Sequence, residues 1–173
     1  AAAITMKNTG SILSCDIHEK KLSLIQTGAE RLGIDVISTR AADARRPAPD
    51  LVSAFDAVIA DVPCSGLGVI RKKPEIREKN ETEISQLPQI QRDIIENLSC
   101  CVKPGGVLLY STCTILREEN EAVVNAFLDR HGDFEPEDFP VGGRRSEKGM
   151  YTFWPNIDGT DGFFAAKLRR KLK

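Results

Sequence analysis

The sequence lacks long apolar runs and an excess of charge of either sign. No apolar segment approaches the roughly 18 residues of a membrane-spanning helix, and no charged-then-apolar leader stands at the start. We therefore expect no membrane partner. The chain carries 24 basic and 25 acidic residues, a formal net charge of −1. This balance excludes a chain that coats nucleic acid through bulk positive charge.

Paired cysteines and the common phosphate-binding motifs are also lacking. The five cysteines are an odd number, and none of them forms a CxxC pair. This pattern excludes a disulfide framework and a zinc site, and it favours reduced thiols in a cytoplasmic protein without a metal. GxxxxGK[ST] and GxGxxG are both absent, so neither a P-loop nor a standard dinucleotide fingerprint is expected.

Alternating strand and helix patterns indicate the fold class. With 173 residues, 41% hydrophobic and 28% charged, the chain fits one globular domain. Strand–helix alternation predicts parallel strands joined by crossover helices, an α/β doubly wound domain, and the strand-like segments after Gly132 predict an antiparallel edge. The predicted strands are 11–16, 35–40, 55–61 and 107–112, and the predicted helices are 18–32, 87–102 and 117–131.

Acidic residues stand at the ends of three predicted strands: Asp16, Asp43 and Asp61. In such sheets ligands bind beyond the carboxyl ends of the strands, and a carboxylate there can accept both hydroxyls of a ribose. Asp16 could equally cap the helix that follows it, and Asp43 alone fits an ordinary loop acid. Three acids in phase favour a nucleoside-bearing cofactor.

Two cysteines also follow predicted strands. Cys64 lies in the loop DVPCSGLG, where Gly66 and Gly68 would let the backbone approach a ligand, and Cys113 lies in STCT. Neighbouring parallel strands are about 4.8 Å apart, so the two thiols could face one another across a cleft. The alternative is that each is a small buried hydrophobe. We assign that simpler role to the remaining cysteines, Cys15, Cys100 and Cys101.

Basic residues cluster in two places. The loop after Asp61 carries Arg71, Lys72, Lys73, Arg77 and Lys79, and its position favours phosphate contact. The C-terminus carries Lys167, Arg169, Arg170, Lys171 and Lys173, for which a merely solvated end is at least as good an explanation.

Five segments together carry a family resemblance. They are CDIHEKKL, AADAR, DVPCSGLGVIRKKPEIR, KPGGVLLYSTCT and GTDGFFAAKL. In this order they resemble the Sun/Fmu group of RNA cytosine-5 methyltransferases, and most of all its bacterial members that act on small-subunit ribosomal RNA. The resemblance spans nearly the whole chain. It implies a class I methyltransferase fold, S-adenosylmethionine as cofactor and RNA, most specifically ribosomal RNA, as partner.

The resemblance also implies roles for five residues. Asp16 matches the acid that holds the cofactor ribose, Asp43 the acid near its adenine, and Asp61 the acid between cofactor and target base. Cys113 matches the nucleophile that adds to C6 of cytosine, which makes C5 able to accept a methyl group. Cys64 matches the cysteine that assists product release.

One family segment is not found. The group's glycine-rich, CAAPGGKT-like cofactor loop and the strand before it would precede Ala1, so we expect residues 1–173 to be a catalytic domain truncated at its N-terminus. We expect these residues alone to bind S-adenosylmethionine weakly or not at all. The alternatives are a non-catalytic RNA-binding or assembly module with the same fold, and an amino-group methyltransferase. The latter would carry an aromatic residue in place of Cys64.

Overall fold

The predicted alternation of strands and helices is present in the computed structural model, which describes residues 1–46 and 48–172. The described residues form two compact units, one from Ala1 to Arg46 and the other from residue 48 onward. The α-helices are α1 (Ala2–Thr5), α2 (Glu19–Arg31), α3 (Glu81–Ser99), α4 (Glu121–Leu128) and α5 (Pro155–Asp158). The strands are β1 (Ile12–Asp16), β2 (Ile37–Ala41), β3 (Phe55–Asp61), β4 (Val102–Thr112), β5 (Phe134–Pro136), β6 (Pro140–Val141), β7 (Arg144–Arg145), β8 (Met150–Phe153) and β9 (Phe163–Arg170).

The first unit is a strand–helix–strand crossover. β1 and β2 pair in parallel, from Ile12 opposite Ile37 to Asp16 opposite Ala41. α2 connects them and buries Leu22 and Ala29. Gly33 follows α2 with φ +63°, a left-handed conformation that terminates helices and suits glycine. The acidic end of β1 is thereby fixed next to the start of α2.

The second unit is built on a sheet in the order β3-β4-β9-β5, with β8 also paired to β9. β3 and β4 are parallel, whereas β9 runs antiparallel to β4 and to both strands at its outer edge. The parallel pairs and the antiparallel edge both agree with the sequence prediction. Since β3 and β4 are parallel neighbours, the loops that follow them leave the sheet side by side.

Helices α3 and α4 cover one face of this sheet. β4 alternates, so Leu108, Tyr110 and Thr112 are fully buried on the same face. Among the described residues, the fully buried apolar side chains of the second unit are Ile95, Val102, Leu108, Tyr110, Val123, Val124, Phe127, Phe164, Ala166 and Leu168. This continuous core holds the carboxyl ends of β3 and β4 rigidly.

The predicted boundaries of α3 were wrong. The helix was expected over 87–102 with Pro88 in its first turn, but it spans Glu81–Ser99 and contains Pro88 in its interior. Asn80 begins it, because its side-chain oxygen accepts a 2.9 Å hydrogen bond from the Thr82 N–H. An interior proline costs a helix about 3 kcal/mol, which the burial of Ile94 and Ile95 helps to offset.

Three of the C-terminal basic residues are bonded within the fold and do not form a merely solvated end. Lys167 and Arg169 lie on β9, and both pair with Glu137. Arg170 donates to the Val102 carbonyl and pairs with Asp133. Lys173 lies outside the described residues. Among residues 1–46 and 48–172, no helix is long and apolar enough to cross a membrane.

Candidate functional site

Two loops bring the thiols of Cys64 and Cys113 together in the second unit. Asp61 ends β3 opposite Ser111 of β4, so each loop begins at the same level of the sheet. The two sulfur atoms are 3.1 Å apart, and the backbone N–H of Cys113 donates to the Cys64 sulfur at 3.2 Å. Both side chains are half-buried. The strand ends therefore do place the two cysteines face to face.

The paired thiols share their protons unequally. The hydrogen bond from the Cys64 thiol, together with the positive charge of Lys79, lowers the pKa of Cys113 from 9.0 to about 7, against burial and the charge of Asp61. The same pairing and its own burial raise the pKa of Cys64. A thiolate is the nucleophilic form of cysteine, so these opposite shifts favour Cys113 over Cys64 as the thiol that ionises first.

Lys79 is a site residue that sequence reasoning placed only among the loop's basic residues. Its ammonium group donates to the carbonyl of Ser65 at 2.7 Å and to that of Cys64 at 3.4 Å. It therefore folds back onto the cysteine loop. Its position 15 residues after Cys64 gave no signal of this, since only the 3₁₀ turn at Pro74–Glu78 brings it back.

Asp61 is an exposed acid close enough to Cys113 to act on it. Its carboxylate accepts a 3.3 Å hydrogen bond from the Ser111 hydroxyl. Its negative charge acts on Cys113 in the direction opposite to that of Lys79. The structure therefore brings Asp61 near Cys113.

The two glycines of the cysteine loop, Gly66 and Gly68, allow a left-handed turn and a close contact within the chain. Gly66 has φ +78°, which favours glycine, and Gly68 donates from its N–H to the Cys113 carbonyl at 3.0 Å. A Cβ atom on Gly68 would lie 1.9 Å from the carbonyl oxygen of Gly162. The close approach that Gly68 allows in the structure is thus made by the chain itself. Here it lets three loops of the same chain meet.

Of the five basic loop residues expected near phosphate, Arg71 and Lys72 are engaged within the protein, as Lys79 is. Arg71 and Lys72 pair with Asp161 at 3.3 and 2.5 Å, and Asp161 is buried. Their side chains nevertheless remain 78% and 66% exposed, so both still present positive charge. Lys73 and Arg77 are exposed, and no ion pair is found for either within the described part of the chain.

The acids of the first unit hold local structure. Asp16 accepts hydrogen bonds from the His18 N–H at 2.9 Å and the Lys21 ammonium at 3.1 Å, which lower its pKa. These bonds close a turn before α2 and do not cap it, since the helix follows His18 and has no side-chain cap hydrogen bond. Asp43 binds the Arg45 side chain and N–H, and these contacts lower its pKa to about 2. Both carboxylates are therefore ionised acceptors.

The simpler role proposed for the other cysteines holds for one of them. Cys101 is buried, but Cys15 and Cys100 are exposed. Cys15 lies in β1, and Cys100 directly follows the last residue of α3.

Comparisons with known proteins assign the family. The sequence family described as 16S rRNA methyltransferase RsmB/F matches residues 1–169. The probable ribosomal RNA small subunit methyltransferase B of Bacillus subtilis is 41% identical over 96% of this chain, which spans 39% of that protein's length. The ribosomal RNA small subunit methyltransferase F of Shewanella amazonensis is 34% identical, and the chain spans 38% of it.

A solved structure supports the same assignment. NSun6 from Pyrococcus horikoshii, crystallised with the S-adenosylmethionine analogue SFG, superposes with a TM-score of 0.81 and 28% identity. The match covers 99% of this chain and 44% of that one. The fold is thus that of a class I S-adenosylmethionine-dependent methyltransferase, as the sequence resemblance implied. The chain belongs to the RsmB/F family of 16S rRNA methyltransferases.

Proposed function

We propose that this chain supplies the catalytic residues for methyl transfer from S-adenosylmethionine to C5 of a cytosine in ribosomal RNA. The observation that carries the proposal is the 3.1 Å contact between the sulfurs of Cys64 and Cys113, with the Cys113 pKa lowered to about 7. A non-catalytic scaffold has no use for a thiolate kept half-exposed beside a second thiol. An amino-group methyltransferase likewise needs no nucleophile.

The chemistry needs both sulfurs. C5 of cytosine is a weak nucleophile, and addition of the Cys113 thiolate to C6 forms a C–S bond and moves electron density to C5. After C5 is methylated, loss of the C5 proton to a base and breaking of the Cys113–C6 bond restore the aromatic ring. Cys64 lies in contact with the leaving sulfur, so it is placed to assist that elimination. The target base must be unstacked from the RNA to reach these atoms.

Asp61 has a separate proposed role. Its carboxyl group is exposed at the end of β3. It can accept a hydrogen bond from the amino group of the bound cytosine and share a proton with N3 of that base. Such bonds would stabilise the adduct formed on Cys113.

The first unit carries residues that fit the cofactor. Bound S-adenosylmethionine supplies the methyl group as a sulfonium electrophile. Asp16 and Asp43 follow parallel strands, and an ionised carboxylate has about four acceptor positions. Asp16 accepts two hydrogen bonds and so has positions left for the ribose hydroxyls. Asp43 already accepts four hydrogen bonds from Arg45, so the adenine amino group would have to replace one of these donors.

The RNA contact is proposed for Arg71, Lys72, Lys73 and Arg77. Arg71 and Lys72 hold the loop through Asp161 while keeping most of their surface exposed. Positively charged side chains next to a base-modifying site position the phosphate backbone without reading sequence.

The test is covalent trapping in the full-length gene product that carries this chain, with 16S ribosomal RNA and S-adenosylmethionine. Cys64→Ala should accumulate a protein–RNA complex that survives denaturing electrophoresis, because addition still occurs and elimination is slowed. Cys113→Ala and the double variant should form none. Cys100→Ala, which removes an exposed thiol elsewhere, should behave as wild type. Equal loss of methylation in both single variants with no trapped complex would contradict the proposal.

A further inference from the structure

A layer of buried polar side chains lies beneath the two cysteine loops. Gln91 and Asn120 are 0% exposed, Glu119 is 1% exposed, and the hydroxyls of Ser65 and Thr114 are buried with them. Burying polar groups is costly unless each is hydrogen-bonded. Gln91 Oε1 and Glu119 Oε1 have no hydrogen-bond partner in the described part of the chain. Stability alone would favour apolar side chains at these positions, so the layer needs another explanation.

Half of this layer holds the residues on either side of Cys64. The Gln91 amide donates to the Pro63 carbonyl at 2.9 Å, one residue before the cysteine. Glu119 Oε2 accepts from the Ser65 N–H at 2.9 Å, one residue after it. Gln91 and Glu119 are joined to each other by a 2.8 Å hydrogen bond. The two peptide groups flanking Cys64 are therefore fixed from below.

The other half holds the residues on either side of Cys113 in the same way. Asn120 Oδ1 accepts from the Thr112 hydroxyl at 2.6 Å, and Asn120 Nδ2 donates to the Thr114 carbonyl at 3.1 Å. A 2.8 Å hydrogen bond between the Ser65 and Thr114 hydroxyls ties the two loops together. Since Glu119 and Asn120 are consecutive residues, one short segment before α4 anchors both loops.

We infer that Gln91, Glu119 and Asn120 are positioning residues that set the separation of the two thiols. Their catalytic meaning rests on the proposed function, but their effect on the thiols does not. A thiol is a weak hydrogen-bond donor and acceptor, so the sulfur–sulfur contact cannot by itself hold two loops in register. Fixing the residue before and after each cysteine sets the direction of its Cα–Cβ bond. The buried layer does this for both cysteines at once.

We therefore expect that substitutions in the buried polar layer loosen the contact between the two sulfurs, although neither cysteine is changed. Asn120→Asp keeps the acceptor for Thr112 but replaces the donor to Thr114 by an oxygen. Gln91→Met keeps the approximate shape and removes both donated bonds. Ile95→Val is the matched control, because Ile95 is fully buried on the same helix, α3, and contacts neither loop through hydrogen bonds. It should lower thermal stability while leaving the thiols in place.

The first measurement is alkylation of Cys113 by iodoacetamide as a function of pH, read by mass spectrometry of the Cys113 peptide. Asn120→Asp and Gln91→Met should slow alkylation at pH 7 by about two- to six-fold and raise its pH midpoint. The second is methylation by the full-length gene product. There kcat should fall by about 10- to 100-fold while KM for RNA changes less than about two-fold.

Four outcomes are informative. Wild-type alkylation profiles in both variants would overturn the inference, and so would an equal shift in Ile95→Val, which would indicate general loosening. Shifted profiles in the two variants, with a normal Ile95→Val, support it. If the profiles shift and the wild-type protein transfers no methyl group to cytosine C5, the proposed function fails and the positioning of the thiols stands.

Discussion

The clearest prediction concerns the dependence of the Cys113 thiolate on Cys64. The hydrogen bond from Cys64 is the largest cause that lowers the pKa of Cys113 to about 7 from 9.0. At pH 7 a pKa of about 7 leaves roughly half of the sulfur ionised, and a pKa of 9.0 leaves about 1%, a ratio of about 50. A more basic thiolate is intrinsically more reactive, by about eight-fold over two pKa units. Removing Cys64 should therefore slow alkylation of Cys113 at pH 7 by up to about six-fold.

The assay is the pH profile of iodoacetamide alkylation at Cys113, measured peptide by peptide so that the other cysteines do not interfere. Wild-type protein should show a midpoint near 7, and Cys64→Ala should move it upward toward 9. Cys64→Ser keeps a hydrogen-bond donor and should lie between them. Cys100→Ala serves as the control, with a wild-type profile. An unchanged or lower midpoint in Cys64→Ala would refute the reasoning, because another group would then be responsible for the thiolate.

Two further predictions concern stability. Gly68→Ala should destabilise the protein by more than about 2 kcal/mol, because the new Cβ would lie 1.9 Å from the Gly162 oxygen. Gly28→Ala in α2 is the control: it has open space around it and should be neutral or stabilising. Thermal unfolding distinguishes the two variants, and equal melting temperatures would contradict the close contact at Gly68. Glu137→Gln should cost about 1 kcal/mol at pH 7, because Lys167 and Arg169 lower the pKa of Glu137 to about 2. Because the pKa of Glu137 is lower in the folded state, its ionised form stabilises the fold above pH 4.5. The difference in melting temperature between wild type and Glu137→Gln should therefore shrink as the pH falls from about 4.5 toward 2. A difference that does not depend on pH would argue against the ion pairs.

Local patterns in the sequence determined much of the fold. The strand 55–61 was predicted with the bounds that the structure shows, because a short apolar run that ends just before Pro63 is typical of a buried strand. The start of α3 was missed because Pro88 resembles a first-turn proline, whereas the Asn80 cap and the burial of Ile95 sustain a longer helix. The effect of a proline on a helix can be read from neighbouring residues, whereas the tertiary contacts that keep the helix intact cannot.

For the site, the sequence by itself determined the reactive groups and the strand ends that carry them. Asp61, Cys64 and Cys113 were identified because parallel neighbouring strands deliver their carboxyl ends to one edge of the sheet. Only the tertiary structure showed which charges and hydrogen bonds act on the two thiols and what holds the pair. Lys79 returns to the cysteine loop from 14 residues beyond Ser65, and Glu119 reaches the same residue from 54 positions away. Hydrogen bonds and charges act over a few ångströms in space, whereas sequence patterns record only neighbours along the chain.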